Sequence, residues 1–210
     1  AGLATWPSLL AAFATLLAAS GGAMYLWLRD LGARALPGAL LYMALPYHLF
    51  DFYRRGALAE FASFAVLPLV ALALRRAADG RGFGWLAVSY AALILTHLPM
   101  ALLASLFLAA PYAIHLIIDR RAALVPIALG LVAGLGLSAV YLVPALSLQH
   151  AVAIDQLWAM GQYQAGRWSI WHPEQWASPG GMQLTFTLAG VLAIAPILAL
   201  SGRGAFWSLL

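Results

Sequence analysis

The sequence predicts an all-α protein: a polytopic transmembrane bundle of about seven helices with one tryptophan-rich outer loop. Hydrophobic residues make up 64% of the 210 positions and charged residues only 9%, whereas a soluble domain carries about 25% charged residues. The mean hydropathy is correspondingly high, at +0.90. Apolar runs of about twenty residues also recur along the chain, and lipid is the solvent that tolerates such runs.

Each predicted span is an apolar run that ends at charged or turn-forming residues. Residues 83–118 are too long for one span, and Pro99 interrupts helix formation, so this stretch is divided into two short helices. Gly130, Gly134 and Gly136 predict close approach of a neighbouring helix to the span that follows. The predicted spans are residues 6–28, 36–49, 56–74, the two parts of 83–118, 122–148 and 182–200.

The arginines predict the orientation in the membrane. All 11 basic residues are arginines, spread over several turns, and this distribution is unlike the single basic face of a nucleic-acid-binding protein. The side richer in arginine is assigned to the cytoplasm. It carries Arg29, Arg34, Arg75, Arg76, Arg81, Arg120, Arg121 and Arg203, against Arg54, Arg55 and Arg167 on the other side. The segment 48–60, the turn 96–99 and the loop 149–181 then lie together on the periplasmic or extracellular side.

We expect residues 1–210 to form a single transmembrane domain, with residues 149–181 as its outer loop. The chain begins without a methionine and stops after an apolar stretch, so we expect a piece of a longer protein. The loop residues Asp155, Arg167, His172 and Glu174, among tryptophans, fit a sugar platform or an interfacial aromatic belt, and the belt is the simpler interpretation. The absence of cysteine excludes thiol chemistry, and the histidine spacing predicts no metal site and no cofactor.

The densest polar stretch between two predicted spans is residues 46–60. Glu60 lies one turn inside a predicted span, where an ionisable group faces a cavity or a charged partner, and Arg55 is the partner we expect. A structural ion pair at a helix N-terminus is the alternative. Arg54 and Arg55 suit a lipid phosphate, although Arg54 can simply anchor the helix at the headgroups. His97, in the turn between two spans, fits either a phosphate or proton-transfer role or the role of a capping or packing histidine.

Several short motifs carry a resemblance to a known family. They are residues 22–29 (Gly-Ala-Met-Tyr-Leu-Trp-Leu-Arg), residues 44–47 (Ala-Leu-Pro-Tyr), Tyr53-x-Arg55-Gly-Ala-Leu-Ala-Glu60-Phe, Leu-Pro-Leu at 67–69, Thr96-His97, and the runs 134–139 and 142–146. Over residues 20–150 the chain resembles the large bacterial membrane proteins of the GT-C glycosyltransferase type, including those labelled pyruvoyl-tetrahydropterin-synthase-related. The stretch from Arg55 to Glu60 is the most specific part of this resemblance.

The resemblance implies a multi-pass protein of the bacterial cytoplasmic membrane that moves a sugar from a polyprenyl-phosphate donor to an acceptor at the outer face. We expect the substrate-binding residues to be Tyr53, Arg54, Arg55, Glu60 and His97. With the resemblance, Arg55 and His97 hold the departing lipid phosphate and Glu60 orients Arg55, while the acidic catalytic base lies in an outer loop that this chain lacks. This chain alone is then expected to be inactive. The alternative is a non-catalytic membrane subunit or lipid-handling scaffold that binds a phospholipid or polyprenyl phosphate, with or without other membrane subunits.

Overall fold

The structure, a computed structural model, describes the backbone of residues 5–151 and of Ala159, and their side chains apart from Arg54 and residues 117–119. The described part is helical and contains no β-strand, which confirms the predicted all-α class for these residues. It falls into two compact units, one ending at Val140 and the other beginning at Tyr141.

Two predicted features lie outside the described residues. They are the tryptophan-rich part of the outer loop, with its charged residues Asp155, Arg167, His172 and Glu174, and the last apolar run, residues 182–200. Both features therefore stay predictions.

Within residues 5–151 the α-helices follow one another with short connections. They are α1 (Thr5–Asp30), α2 (Ala35–Met43), α3 (Pro46–Phe50), α4 (Leu58–Ala78), α5 (Gly84–Thr96), α6 (Leu98–Ala104), α7 (Ala110–Asp119), α8 (Leu124–Leu137) and α9 (Ala139–Ser147). Asp51–Arg55 and Ser105–Ala109 are π-helical turns, and Arg121–Ala123 and Gln149–Ala151 are 3₁₀ turns.

Three helical segments of the described part are long and apolar enough to cross a membrane: Thr5–Asp30, Leu58–Ala78 and Leu98–Leu116. The pair Arg121–Leu137 and Ala139–Ser147 meets the same criteria when its two helices count as one span. The break predicted around Pro99 is present, but it is followed by one long helical segment rather than a short helix, because α6 continues through a π-helical turn into α7. The total of about seven spans stays a prediction.

The two longest helices, α1 and α4, run side by side in the same direction. Near their starts, the ring centroids of Phe13 and Phe61 are 5.0 Å apart. Near their ends, Asp30 forms ion pairs with Arg75 and Arg76 at 3.5 and 3.3 Å. Because the two helices are parallel, the chain between them has to return along their length through α2 and α3.

The predicted span 36–49 is not continuous. The structure interrupts it at Leu45, which has extended backbone angles, and Pro46 then starts α3 at a position where a missing amide is harmless. The prediction of a single helix over 122–148 is also wrong, because the chain breaks at Ser138, between α8 and α9. The buried Ser138 hydroxyl donates to the carbonyls of the preceding turn, where it competes with the helical hydrogen bonds.

The predicted close approach of helices at glycine occurs between α8 and α5. A Cβ atom at Gly130 would lie 2.7 Å from the Leu86 side chain, and one at Gly134 would lie 3.0 Å from Tyr90. Gly136 is different, because a Cβ there would meet nothing within 4 Å. The prediction is therefore confirmed for the first two glycines and wrong for Gly136.

Candidate functional site

The segment between α3 and α4 forms a tight reversal that brings polar side chains together. A π-helical turn, Asp51–Arg55, continues α3, and Gly56 ends it in the left-handed region at φ +59°. Glycine adopts this conformation without the steric cost that a Cβ atom imposes. The chain then enters α4, so that Glu60 in its first turn faces the helical turns that precede it.

Arg55 is the centre of the site. Its Nη1 atom lies 2.9 Å from Asp51 Oδ1 and 2.8 Å from Glu60 Oε2, and it donates to the Tyr47 hydroxyl at 2.9 Å. That hydroxyl in turn donates to Glu60 Oε1 at 2.5 Å. All of the Arg55 contacts use Nη1, so Nε and Nη2 have no acceptor among the described residues. The Arg55 side chain remains 42% exposed.

The two carboxyl groups around Arg55 are buried. Asp51 is 0% exposed and Glu60 is 8% exposed. Asp51 lies between α3 and α4, outside the candidate spans, and burial raises its pKa from 3.8 to about 6; the charge of Glu60 adds to this rise and Arg55 opposes it. The second oxygen of Asp51, Oδ2, is buried and has no hydrogen-bond partner among the described residues. Asp51 therefore takes up a proton as the pH falls through about 6.

His48 lies beneath this cluster in an aromatic enclosure. It is 1% exposed, and its ring centroid is 4.2 Å from that of Phe64 and 5.3 Å from that of Phe61. Its Nδ1 atom lies 2.9 Å from the Tyr42 carbonyl, which only accepts hydrogen bonds, so Nδ1 carries a proton. This bond satisfies a carbonyl at the break between α2 and α3. His48 thus holds the return segment together.

The structure unites only part of the predicted site. The expected Arg55–Glu60 ion pair is present. Tyr53 is 74% exposed and packs on Phe52, with ring centroids 4.6 Å apart, outside the polar cluster. His97 caps α6 by accepting from the Met100 amide at 3.2 Å and makes no described contact with Arg55 or Glu60. The side chain of Arg54 is not described.

Tyr47 and Asp51 are part of the cluster but were not among the predicted site residues. Their signal in the sequence is a spacing of four, since Tyr47, Asp51 and Arg55 follow one another at intervals that place them on the same side of a helix. Sequence reasoning missed both residues because Tyr47 is aromatic and lies within a predicted span, and because Asp51 lies after the end of that span.

The arrangement favours anion binding over acid–base catalysis by this cluster. Both Glu60 oxygens already have partners, Tyr47 and Arg55, and Asp51 has no exposed surface on which a substrate hydroxyl could approach. The Nε and Nη2 donors of Arg55, in contrast, have no acceptor among the described residues. Among residues 5–151, no group of three or more His, Asp and Glu side chains is placed to hold a metal ion.

A comparison with models of known protein families gives no match for this chain. Comparisons with curated proteins and with solved structures give no match either. The resemblance to GT-C membrane proteins therefore stays a prediction made from short motifs.

Proposed function

We propose that this chain is the membrane part of a transferase that moves a sugar from a polyprenyl-phosphate donor to an acceptor at the outer face of the bacterial cytoplasmic membrane, which the chain crosses several times. Arg55 binds the donor phosphate. One observation supports this most directly: among the described residues, three groups hold Nη1 and none accepts from Nε or Nη2, on a side chain that is 42% exposed. Guanidinium donors arranged in a plane match the oxygens of a phosphate.

The fixed position of Arg55 suits the bond-breaking step. When the bond between the sugar and the phosphate breaks, negative charge grows on the departing lipid phosphate. Donors that are already oriented stabilise that charge without having to move first. Tyr47, Asp51 and Glu60 act as positioning residues because they contact the guanidinium and not the donor.

The charge balance of the site depends on Asp51. Arg55 carries one positive charge, and Asp51 and Glu60 exceed it by one negative charge when both are ionised. Protonation of Asp51 near pH 6 removes this excess negative charge beside the phosphate position. Phosphate binding is therefore expected to strengthen as the pH falls.

We assign the catalytic base to other residues or to another membrane subunit, because Asp51 is buried and both Glu60 oxygens already have partners. The same observation favours a second candidate, a lipid-handling subunit that binds the phosphate of a polyprenyl or phospholipid headgroup without breaking a bond. The two candidates share Arg55 and differ in whether sugar leaves the donor.

The test uses the full-length protein purified from its membrane. Two quantities are measured: transfer of labelled sugar from polyprenyl-phosphate donors, and binding of the same donors. Arg55→Gln is compared with Arg34→Gln, a matched loss of charge at an exposed residue with no side-chain hydrogen bond to its helix. We expect transfer and binding to fall by about tenfold or more for Arg55→Gln, which corresponds to one lost charge-assisted contact.

The outcomes separate the candidates. Binding without transfer in the wild type supports the lipid-handling subunit. Equal donor binding by the wild type and Arg55→Gln refutes both candidates, because both assign the phosphate to Arg55.

A further inference from the structure

A second charged cluster lies at the opposite end of α1 and α4 from Arg55. Asp30 is within 3.5 Å of the guanidinium groups of Arg75, Arg76 and Arg81. Asp79 lies 3.2 Å from Arg120 and 4.0 Å from Arg75. These contacts bring together the end of α4, the turn after it and the residue that follows α7. The six residues are called the Asp30 cluster here.

The Asp30 cluster has more positive charge and more donors than its own acceptors can satisfy. Four arginines against two aspartates leave two positive charges. Four guanidinium groups offer about twenty N–H donors. The described hydrogen bonds to the two carboxylates are only two, from Arg76 to Asp30 and from Arg120 to Asp79. Arg76 Nε is, in addition, buried from solvent and has no acceptor among the described residues.

An apolar cavity begins about one helical turn away from the Asp30 cluster. Its volume is about 250 Å³, and Trp27 and Ala71 are among the residues that line it. Trp27 precedes Asp30 by three residues, and Ala71 precedes Arg75 by four, so each lies about 4.5–6 Å deeper along its helix. The other side of the cavity is formed by the helical segment that contains Leu103 and Phe107.

We propose that the Asp30 cluster binds the phosphate of an anionic phospholipid and that an acyl chain of the same lipid enters the apolar cavity. A phosphate supplies the acceptors that the arginines lack, and a net negative headgroup offsets their excess charge. Trp85, 74% exposed at the start of α5, marks the same end as a membrane boundary. This end carries the arginine-rich side, which faces the leaflet where anionic lipids attract basic residues. The site is separate from Arg55 and does not depend on the transferase proposal.

The test measures lipid binding to the detergent-purified protein by native mass spectrometry. Phosphatidylglycerol is compared with phosphatidylcholine, which has the same phosphate but no net charge. We expect the wild type to prefer phosphatidylglycerol by about tenfold or more, as one or more charge-assisted contacts imply. The double variant Arg76→Gln/Arg120→Gln is expected to lose that preference, whereas Arg34→Gln, a matched charge loss outside the cluster, is expected to keep it.

Two further comparisons identify the ligand. A short-chain phosphatidylglycerol is expected to bind more weakly than the long-chain lipid, because it leaves the cavity empty. Inorganic phosphate that binds as tightly as the long-chain lipid would overturn the lipid assignment in favour of a free-phosphate site. Where the double variant loses its helical circular dichroism, Arg81→Gln replaces it, since Arg81 is 61% exposed and lies in a turn. Equal preference in that variant and in the wild type, or no preference in the wild type, refutes the proposal.

Discussion

Replacing Arg55 by glutamine should destabilise the protein strongly, because Arg55 is the counter-charge of two buried carboxylates. Asp51 is 0% exposed and Glu60 is 8% exposed, so without Arg55 both carboxylates would lose their ion pair while largely removed from water. Breaking a buried pair by removing one partner costs about 3–5 kcal/mol. Arg55 itself is 42% exposed, so solvent already screens part of the interaction, and we expect the lower end, about 3 kcal/mol.

The assay is denaturant unfolding in detergent micelles, followed by tryptophan fluorescence at pH 7 and pH 5. The loss in free energy of unfolding caused by Arg55→Gln should be smaller at pH 5 than at pH 7. Arg55 lowers the pKa of Asp51, so its removal lets Asp51 take up a proton at a higher pH and the buried charge disappears. Arg34→Gln, at an exposed position, should change the free energy of unfolding by less than about 0.5 kcal/mol.

A rescue variant makes the reasoning refutable. Arg55→Gln combined with Asp51→Asn and Glu60→Gln removes all three charges and should regain most of the lost stability at pH 7. Equal losses for Arg55→Gln and Arg34→Gln, or no recovery in the triple variant, would show that buried charge is not what Arg55 compensates.

Three more predictions follow from single sites. Binding of the polyprenyl-phosphate sugar donor, a phosphodiester that does not titrate in this range, should strengthen between pH 7 and pH 5 in the wild type and become nearly pH-independent in Asp51→Asn. A pH response of binding that persists in this variant would assign the response to another group. Gly130→Ala should destabilise the protein by about 1–3 kcal/mol, because the added Cβ atom would clash with Leu86. Gly136→Ala should instead stabilise the protein by about 0.5–1 kcal/mol. Changes of the same sign in the free energy of unfolding of the two variants would contradict the described packing of α8 on α5. His97→Ala should cost about 1 kcal/mol of stability through the lost cap, and reduced donor binding at full stability would instead show a role in the site.

The fold was predictable where the sequence carries a strong boundary signal. The end of α1 follows from Arg29 and Asp30, and the break before α6 follows from Pro99, since charge and proline act locally. The break at Ser138 had no such signal. A serine hydroxyl competes with helical hydrogen bonds only where packing allows it, and packing depends on residues that are distant in sequence.

The site was predictable to the extent that its partners are close in the chain. Arg55 and Glu60 are five residues apart, so a turn between two helices brings them together. His97 and Arg55 make no described contact. Whether two such residues meet depends on how α5 and α6 pack, and the number of residues between them in the sequence does not determine that packing.

The π-helical turn at Asp51–Arg55 makes the site sensitive to chain length. A π turn closes each hydrogen bond over one residue more than an α turn does, and one residue corresponds to about 100° of rotation around a helix axis. Deleting a single residue such as Phe52 would convert the turn to α geometry and leave Asp51 and Arg55 three residues apart, on the same side of the helix but at a changed angle to each other. A frame-preserving loss of one codon at this point would thus alter the angle at which the guanidinium meets the buried carboxylate while leaving every charged residue of the cluster in the chain.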